Sequence, residues 1–380
     1  MQPVTWIHTA DLHLDMPVQG WKGSKEQMWK RQQDYRTTFQ KIISLVKEKQ
    51  ASFLFIAGDF LEHGYVTHST LEFVLNQLER IPSTQVWITP GNHDPYRTDS
   101  YYHLIRWPDH VHIFKGDWEE HVWSESDLVI YGKGFYDFAE PNPHLPAIKR
   151  ESVRNLMIVH GTFTTGREES PYFPIYKEEI AKLPLDYIAL GHIHKASTDT
   201  IDNERKTLIR YAGSPESLSW KELGVRTVTW GKLDDQGIQI EEIPVQTSRY
   251  ELISVDISEC RSKEDVHQLL LAYLAGLDPS SSYLTCLLTG QMSEEIRREK
   301  DLYLWLSHHI KQNGFIEVYF EDETKPELDL SYYRKQMGII GTFIRRMEVQ
   351  IEQADPDFQP FLRRAMFETV ELLLRKKVER

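Results

Sequence analysis

The chain has 380 residues, 40% of them apolar and 27% charged, which excludes a disordered protein and allows two or three globular domains. Its formal net charge of −13 argues against nucleic-acid binding through Lys and Arg alone. Two cysteines, Cys260 and Cys286, argue against a disulfide framework and fit a reducing compartment. No apolar run is long enough to span a membrane, and the first residues do not resemble a signal peptide, so we expect a cytoplasmic protein without a membrane contact.

Up to residue 190, apolar strand-like runs alternate with helical patterns, which predict helices over Lys25–Lys49 and Ser69–Arg80. From residue 207 the pattern becomes strand-rich, and Asp234-Asp235-Gln236-Gly237 predicts a hairpin turn between two strands. Together these elements predict an α/β fold with two sheets packed as a sandwich over residues 1–245.

Around residue 246 the pattern changes to a smaller βαβαβ unit, which predicts a second domain over residues 246–329. Its predicted elements are a strand over Tyr250–Ile257, a helix over Lys263–Leu274, a strand over Tyr283–Thr289, a helix over Glu294–Gln312 and a strand over Phe315–Phe320.

Residues 330–380 predict two amphipathic helices, Gly338–Gln353 and Phe358–Arg375, each with one apolar stripe. The two helices either pack as a hairpin on their own domain or dock a partner, because a two-helix unit exposes more apolar surface than it can bury alone. Residues 331–380 also contain ten Lys and Arg against seven Asp and Glu, so the acidity lies in the rest of the chain.

Five short motifs each follow an apolar, strand-like run and supply Asp, Asn or His. They are Asp11-Leu12-His13, Gly58-Asp59, Gly91-Asn92-His93-Asp94, His160-Gly161 and Gly191-His192-Ile193-His194. Functional residues of open α/β sheets gather just beyond the carboxyl ends of the strands, so these motifs predict one shared site. Imidazole and carboxylate groups bind divalent transition metals, and these are more ligands than one tetrahedral ion needs. The pattern therefore indicates a paired-metal site, which is typical of phosphoester hydrolysis.

Each motif taken alone has an ordinary explanation. A lone histidine is usually a surface or satisfied core residue, and Gly-Asp after a strand is common loop chemistry. We therefore expect ordinary roles for the eleven histidines outside the five motifs, among them His8, His68, His103, His144 and His308.

The order of the five motifs resembles the calcineurin-like metallophosphoesterases. The strings Thr9-Ala10-Asp11-Leu12-His13-Leu14-Asp15 and Tyr211-Ala212-Gly213-Ser214-Pro215 resemble the DNA-repair nuclease branch of that superfamily, which includes SbcD and the YhaO type. The resemblance implies a metallophosphoesterase domain over residues 1–245, a capping domain over 246–329 that narrows access to the site, and a C-terminal helical segment over 330–380 that binds a partner.

The resemblance also implies two divalent metal ions, with manganese as the expected ion. The implied ligands form two sets of three and one bridging carboxylate: Asp11, His13 and His194 for one ion, Asn92, His160 and His192 for the other, and Asp59 between them. A shared carboxylate fits bottom-up chemistry, because it holds two cations close enough to activate one water.

The remaining histidine of the five motifs, His93, would stabilise the charged transition state or protonate the leaving oxygen. Asp94 would accept the other N–H of His93 and fix its tautomer. One position departs from the branch, where many members carry a histidine three residues after the bridging Asp. Here that residue is Glu62, followed by His63, which leaves the balance between exonuclease and endonuclease action open.

The resemblance implies a metal-dependent DNA phosphodiesterase, an SbcD-like exonuclease in DNA repair. Its implied partners are DNA, an SMC-like coiled-coil ATPase of the SbcC type and a second copy of the chain in a homodimer. Two alternatives stay open: a single-subunit nucleotide phosphodiesterase or phosphatase, and an interaction subunit with only minor nuclease activity. The second domain and the helical tail favour the first function, and the complete ligand set disfavours the last.

Overall fold

The computed structural model describes residues 2–18, 25–148, 153–166, 169–327 and 330–378. The chain forms two compact units, Met1–Glu251 and Leu252–Arg380. The three-part division expected from the sequence stays a prediction. Its second boundary, between residues 329 and 330, adjoins residues 328 and 329, which lie outside the described ranges.

Over its described residues, the first unit contains three α-helices and fourteen strands. The helices are α1 (Lys25–Glu48), α2 (His68–Leu78) and α3 (Lys177–Ile180). The strands are β1 (Val4–Thr9), β2 (Phe53–Ala57), β3 (Gln85–Thr89), β4 (Val111–Ile113), β5 (Glu119–Trp123), β6 (Leu128–Lys133), β7 (Arg154–His160), β8 (Thr162–Thr164), β9 (Pro174–Tyr176), β10 (Tyr187–Gly191), β11 (Ser197–Thr200), β12 (Leu208–Tyr211), β13 (Thr227–Asp234) and β14 (Gly237–Pro244).

Two six-stranded sheets, with orders β14-β13-β1-β2-β3-β4 and β11-β12-β10-β7-β6-β5, confirm the predicted two-sheet α/β fold. In the first sheet β1 to β4 are parallel, and in the second sheet β6, β7, β10 and β12 are parallel. The strands that precede the five motifs, β1, β2, β3, β7 and β10, therefore lie side by side within their sheets. Their carboxyl ends form the edge where the candidate site lies.

The core between the sheets is rich in aromatic side chains, with Trp6, Phe53, Phe55, Trp87 and Phe114 all buried. Phe53 and Phe55 lie two positions apart in β2 and face the same side, because successive side chains of a strand point to opposite faces. Helices α1 and α2 pack on the other face of the first sheet, and each fully buried Leu, Ile, Val or Phe there contributes about 1.5–3 kcal/mol. The packing fixes the strand ends and hence the loops beyond them.

The second unit contains β15 (Arg249–Asp256), which begins before the unit boundary, followed by smaller elements. They are α4 (Lys263–Leu274), β16 (Ser282–Thr289), β17 (Gln291–Met292), α5 (Glu294–Arg297), α6 (Leu302–Lys311), β18 (Glu317–Asp322), β19 (Lys325–Pro326), α7 (Leu330–Lys335), α8 (Ile339–Gln353) and α9 (Gln359–Val378). Strands β15, β16 and β18, which correspond to the three strands of the predicted βαβαβ unit, form one sheet in that order.

The single helix predicted over Glu294–Gln312 is wrong, because α5 and α6 are separate. Ile296 and Leu302 are both buried in the same apolar core. A continuous helix would place residues six apart on different faces, so the chain breaks between them to bury both.

Helices α8 and α9 pack on each other through Ile344, Ile351, Met366 and Val370, so part of each predicted stripe is buried inside the hairpin. Other apolar side chains remain outside, among them Ile339 at 79% exposure. Among the described residues, no helix combines the length and apolar character needed to cross a membrane.

Candidate metal centre

The loops that follow β1 and β2 are tied together by backbone hydrogen bonds. Asp11 N–H donates to the Gly58 carbonyl at 3.0 Å, and His13 N–H donates to the Asp59 carbonyl at 2.9 Å. The second sheet joins them where the backbone N–H of His192 donates to the Asp11 carboxylate at 2.9 Å. The motifs from both sheets therefore lie at one site.

Four of the predicted ligands have left-handed or otherwise rare positive backbone angles. Their φ values are 53° for Asp11, 45° for His13, 49° for Asp59 and 98° for His192. Such angles are strained for residues with a Cβ and cluster at functional sites, where the surrounding structure holds them. The side chains of these four residues converge on one another. Their rare backbone angles therefore support a functional role rather than a packing role.

Two loops approach each other so closely at Gly91 that only glycine fits there. A Cβ at this position would collide with the carboxylate and the backbone nitrogen of Asp59. This small residue therefore lets the Asn92 loop approach the predicted bridging carboxylate.

The first cluster consists of Asp11, His13 and His194, with one donor atom from each within 4.8 Å of the others. His13 Nδ1 lies 3.2 Å from Glu62 Oε2, and His194 Nδ1 lies 2.8 Å from Glu222 Oε1. An ionised carboxylate can only accept, so each Nδ1 is the donor, which leaves each Nε2 as the ring atom available to a metal ion. These carboxylates orient the rings as partners of metal-bound histidines do.

The second cluster consists of Asp11, Asp59 and His160, all buried. His160 Nδ1 donates to the Ala57 carbonyl at 3.0 Å, which leaves Nε2 facing Asn92 Oδ1 at 3.1 Å and Asp59 Oδ2 at 3.3 Å. The same Asp59 oxygen lies 3.6 Å from His13 Nε2. The Asp59 carboxylate therefore lies between the two clusters, where a bridging ligand would be.

Asp59 and His160, which face each other in the buried part of the site, change each other's pKa. Burial alone would raise the pKa of Asp59, but the charge and hydrogen bond of His160 hold it well below its ordinary value. Burial opposes charge on His160 as well, and the nearby Asp59 raises its pKa to about 9. A cation bound between these side chains would take the place of the His160 proton.

The ring of His192 lies 5.3 Å from that of His160, and burial together with the His160 charge lowers its pKa to about 4. A neutral imidazole is the form that binds metal. The structure thus brings together all seven predicted ligands, although their role as ligands stays a prediction.

The predicted partnership of His93 with Asp94 is wrong. His93 Nδ1 lies 3.1 Å from both oxygens of Glu62, so Glu62 holds this ring as well as that of His13. The hydrogen bond to Glu62 is the largest cause that raises the pKa of His93 to about 9, against the opposing effect of burial. Glu62 itself is held by these contacts at a pKa of about 2, although burial would raise it.

Asp94 instead braces the loops around the site. Its carboxylate accepts backbone N–H groups of Asp59 at 3.1 Å, Phe60 at 2.9 Å, Leu61 at 3.0 Å and Gly91 at 2.7 Å. It also accepts the Tyr102 hydroxyl at 2.6 Å. These contacts use the acceptor capacity of a carboxylate, so Asp94 fixes the loops of Asp59 and Asn92 rather than the tautomer of His93.

Sequence reasoning missed the role of two residues that orient the histidines, Glu62 and Glu222. Glu222 also accepts the Ser214 hydroxyl at 3.0 Å, which links it to the Tyr211-Ala212-Gly213-Ser214-Pro215 string. His63 is directed elsewhere, since its ring contacts those of Tyr101 and Phe138.

The donor set fits divalent metal ions. His13 Nε2 is buried and has no hydrogen-bond partner among the described residues, although buried polar atoms nearly always have one. Imidazole nitrogens and carboxylate oxygens together are typical ligands of zinc, iron, nickel and manganese. Such cations would bind the converging ligand atoms of the two clusters and neutralise the charge of their carboxylates.

Residues 5–196, which include every predicted ligand, match the calcineurin-like phosphoesterase family, and the chain belongs to that family. Members of this family are hydrolases of phosphoesters that use two metal ions. Among relatives, the uncharacterised metallophosphoesterase YhaO of Bacillus subtilis is 26% identical and matches 70% of this chain and 66% of its own length. The DNA double-strand break repair protein Mre11 of Archaeoglobus fulgidus is 26% identical over 67% of this chain and 60% of its own.

The SbcD component of the SbcCD nuclease of Bacillus subtilis is 23% identical over 57% of this chain and 63% of its own length. These relatives confirm the predicted superfamily and support its SbcD- and Mre11-type branch. In each case the matched region spans less than two thirds of the relative's length.

Proposed function

We propose that the protein is a metal-dependent DNA phosphodiesterase, an SbcD-like exonuclease. The observation that carries this proposal is the Asp59 carboxylate between the two ligand clusters, with His93 beside it. We infer DNA as the substrate from the names of the Mre11 and SbcCD relatives, because a phosphoesterase centre by itself fits several phosphoesters.

In this proposal one ion is held by Asp11, His13 and His194, and the other by Asn92, His160 and His192. Asp59 is the ligand common to both. A pair of ions, with manganese as the expected element, supplies Lewis-acid stabilisation of phosphate charge and a water that is easily deprotonated. The chain holds these ligands in place through Glu62, Glu222 and the Ala57 carbonyl.

His93 is the residue that would act on the phosphodiester. Its side chain is 41% exposed, so a substrate can reach it. The Glu62 carboxylate accepts a hydrogen bond from His93 Nδ1 and favours the imidazolium form by raising the pKa of His93. The Nε2–H group of the ring is then left to donate to a phosphate oxygen or to protonate the departing alkoxide. The backbone N–H of His93 donates to Asp59 Oδ1 at 2.8 Å, which fixes the ring beside the ligand clusters.

The proposed protein partner is an SMC-like coiled-coil ATPase of the SbcC type. Helices α8 and α9 bury only part of their apolar side chains against each other. Ile339 and Phe361 remain 79% and 61% exposed, and such exposed apolar side chains are typical of a docking surface. The homodimer and the cytoplasmic location stay predictions.

The test is hydrolysis of end-labelled linear DNA by the purified chain, with and without manganese and with and without the ATPase. Manganese-dependent release of nucleotides from DNA ends is the expected result. Hydrolysis of mononucleotide esters without any action on DNA would instead favour a single-subunit phosphodiesterase. Full metal content without turnover on either substrate would favour an interaction subunit.

A further inference from the structure

A second group of metal-type side chains lies where the two sheets end. Strand β4 is the last strand of the first sheet and carries His112, and β5 is the last strand of the second sheet and carries Glu119 and His121. His112 pairs in register with Trp87 and His121 with Ile130, and both neighbours belong to the core between the sheets. The histidines therefore lie on the inward faces of the two edge strands.

The donor atoms of this group converge on one carboxylate oxygen. His112 Nε2 lies 3.0 Å and His121 Nε2 lies 3.5 Å from Glu119 Oε2, and all three donor atoms lie within 4.8 Å of one another. A tetrahedral zinc ion with ligands at about 2.0–2.2 Å separates its ligand atoms by about 3.4 Å. The two observed distances lie on either side of that value, so an ion needs only small side-chain shifts.

The surrounding contacts hold the group in this arrangement. Trp87 packs against the rings of His112 and His121, with centroids 5.0 Å and 4.7 Å away. The second oxygen of Glu119 accepts the backbone N–H of Lys115 at 2.9 Å, which fixes the carboxylate. The three side chains are 26–33% exposed, so an ion from solution can reach them.

We propose that His112, Glu119 and His121 bind a zinc-type divalent ion at the seam of the sandwich, apart from the phosphoesterase centre. Two imidazoles and one carboxylate are a donor set of zinc sites that leave a fourth position for water. Late first-row ions bind such a set more tightly than manganese does. The bound ion cross-links β4 to β5, which otherwise meet through side-chain contacts at this edge.

The competing explanation is that Glu119 only accepts hydrogen bonds from the two histidines. The two explanations differ in zinc stoichiometry, which is measured on the full chain by equilibrium dialysis against zinc and elemental analysis. His121→Ala should bind one zinc ion fewer than the wild type, because a single ring and a carboxylate hold zinc weakly. The matched control is His68→Ala, whose ring is 80% exposed and faces Glu72 at 3.6 Å, and it should bind as much zinc as the wild type.

Unchanged zinc stoichiometry in a folded His121→Ala variant overturns the proposal. If that variant does not fold, wild-type crystals soaked in zinc decide the question through anomalous scattering at the zinc absorption edge. A peak between His112, Glu119 and His121 supports the site, and no peak there overturns it. Neither measurement depends on the proposed nuclease activity, so failure of one proposal is distinguishable from failure of the other.

Discussion

Replacement of Glu62 by glutamine tests the proposed role of His93 most directly. Glu62→Gln keeps an oxygen that accepts hydrogen bonds from His93 and His13 but removes the negative charge beside both rings. The loss of that charge lowers the pKa of His93 from its raised value of about 9. In the proposed mechanism the acid form of His93 is the active one, so the alkaline limb of the pH–rate profile should move to lower pH.

The size of the shift follows from the contact. A hydrogen bond to a charged group contributes about 1.5–3 kcal/mol, and one pKa unit corresponds to about 1.4 kcal/mol, so the contact is equivalent to about one to two units at most. His93 is 41% exposed, and solvent screening reduces this. Asp59 and Asp94 also raise the pKa of His93 and remain in the variant. We therefore expect a downward shift of about one unit.

The assay is the pH dependence of kcat on an artificial phosphodiester at saturating metal, so that the effect of the ions on His93 is the same in both proteins. Metal content is measured in parallel, because Glu62 also orients the predicted ligand His13. Glu222→Gln is the matched control, because it removes the carboxylate that contacts His194 and leaves the contact between Glu62 and His93 intact. This variant should bind metal more weakly, and the alkaline limb of its pH–rate profile should not move. An unmoved limb in metal-replete Glu62→Gln would refute the assignment of His93 as the acid.

His93→Ala should keep both metal ions and most of its DNA affinity while kcat falls by about a hundredfold or more, and loss of an ion on elemental analysis would make His93 a ligand instead. Asp59→Ala should lose metal and activity together, and a variant that retains both ions would contradict the bridging role. A chain that ends near Tyr332 lacks α8 and α9 and should still hydrolyse an artificial phosphodiester, because every predicted ligand lies at or before His194. It should not co-purify with the ATPase at raised salt, and equal capture of both chains would exclude the helices as the docking surface.

The clustering of the predicted ligands could be anticipated from the sequence because these residues follow a local rule. A parallel strand that is buried on both faces is an apolar run, and β2 and β10 are buried throughout. The residue at which such a run ends therefore marks a strand end, and residues of metal-ligand type at several such ends are expected to lie close together. The same rule predicted the order of the main elements, since buried strands and helical patterns could be told apart up to β10.

The residues that orient the ligands could not be predicted in the same way. Glu222 reaches His194 across a separation of 28 residues, and only the folded loops bring the two together. The proximity of Asp94 to His93 in the sequence predicts a contact between them that the fold does not make. In the fold, the backbone N–H groups of the Asp59 and Gly91 loops point at a buried carboxylate, and they bind Asp94 more completely than one imidazole would.

The net charge of −13 is consistent with a phosphoester substrate once the local charges are considered. Asp11 and Asp59 are 0% and 1% exposed, and burial raises the pKa of Asp11 whereas His160 lowers the pKa of Asp59 and keeps it ionised. Buried carboxylates at the point where a phosphate must approach would repel it, unless bound cations reverse the local potential. In the proposed function the metal ions are therefore needed for phosphate binding as well as for hydrolysis. The acidity of the rest of the chain is compatible with this proposal if the ions, or a partner subunit, provide the positive charge.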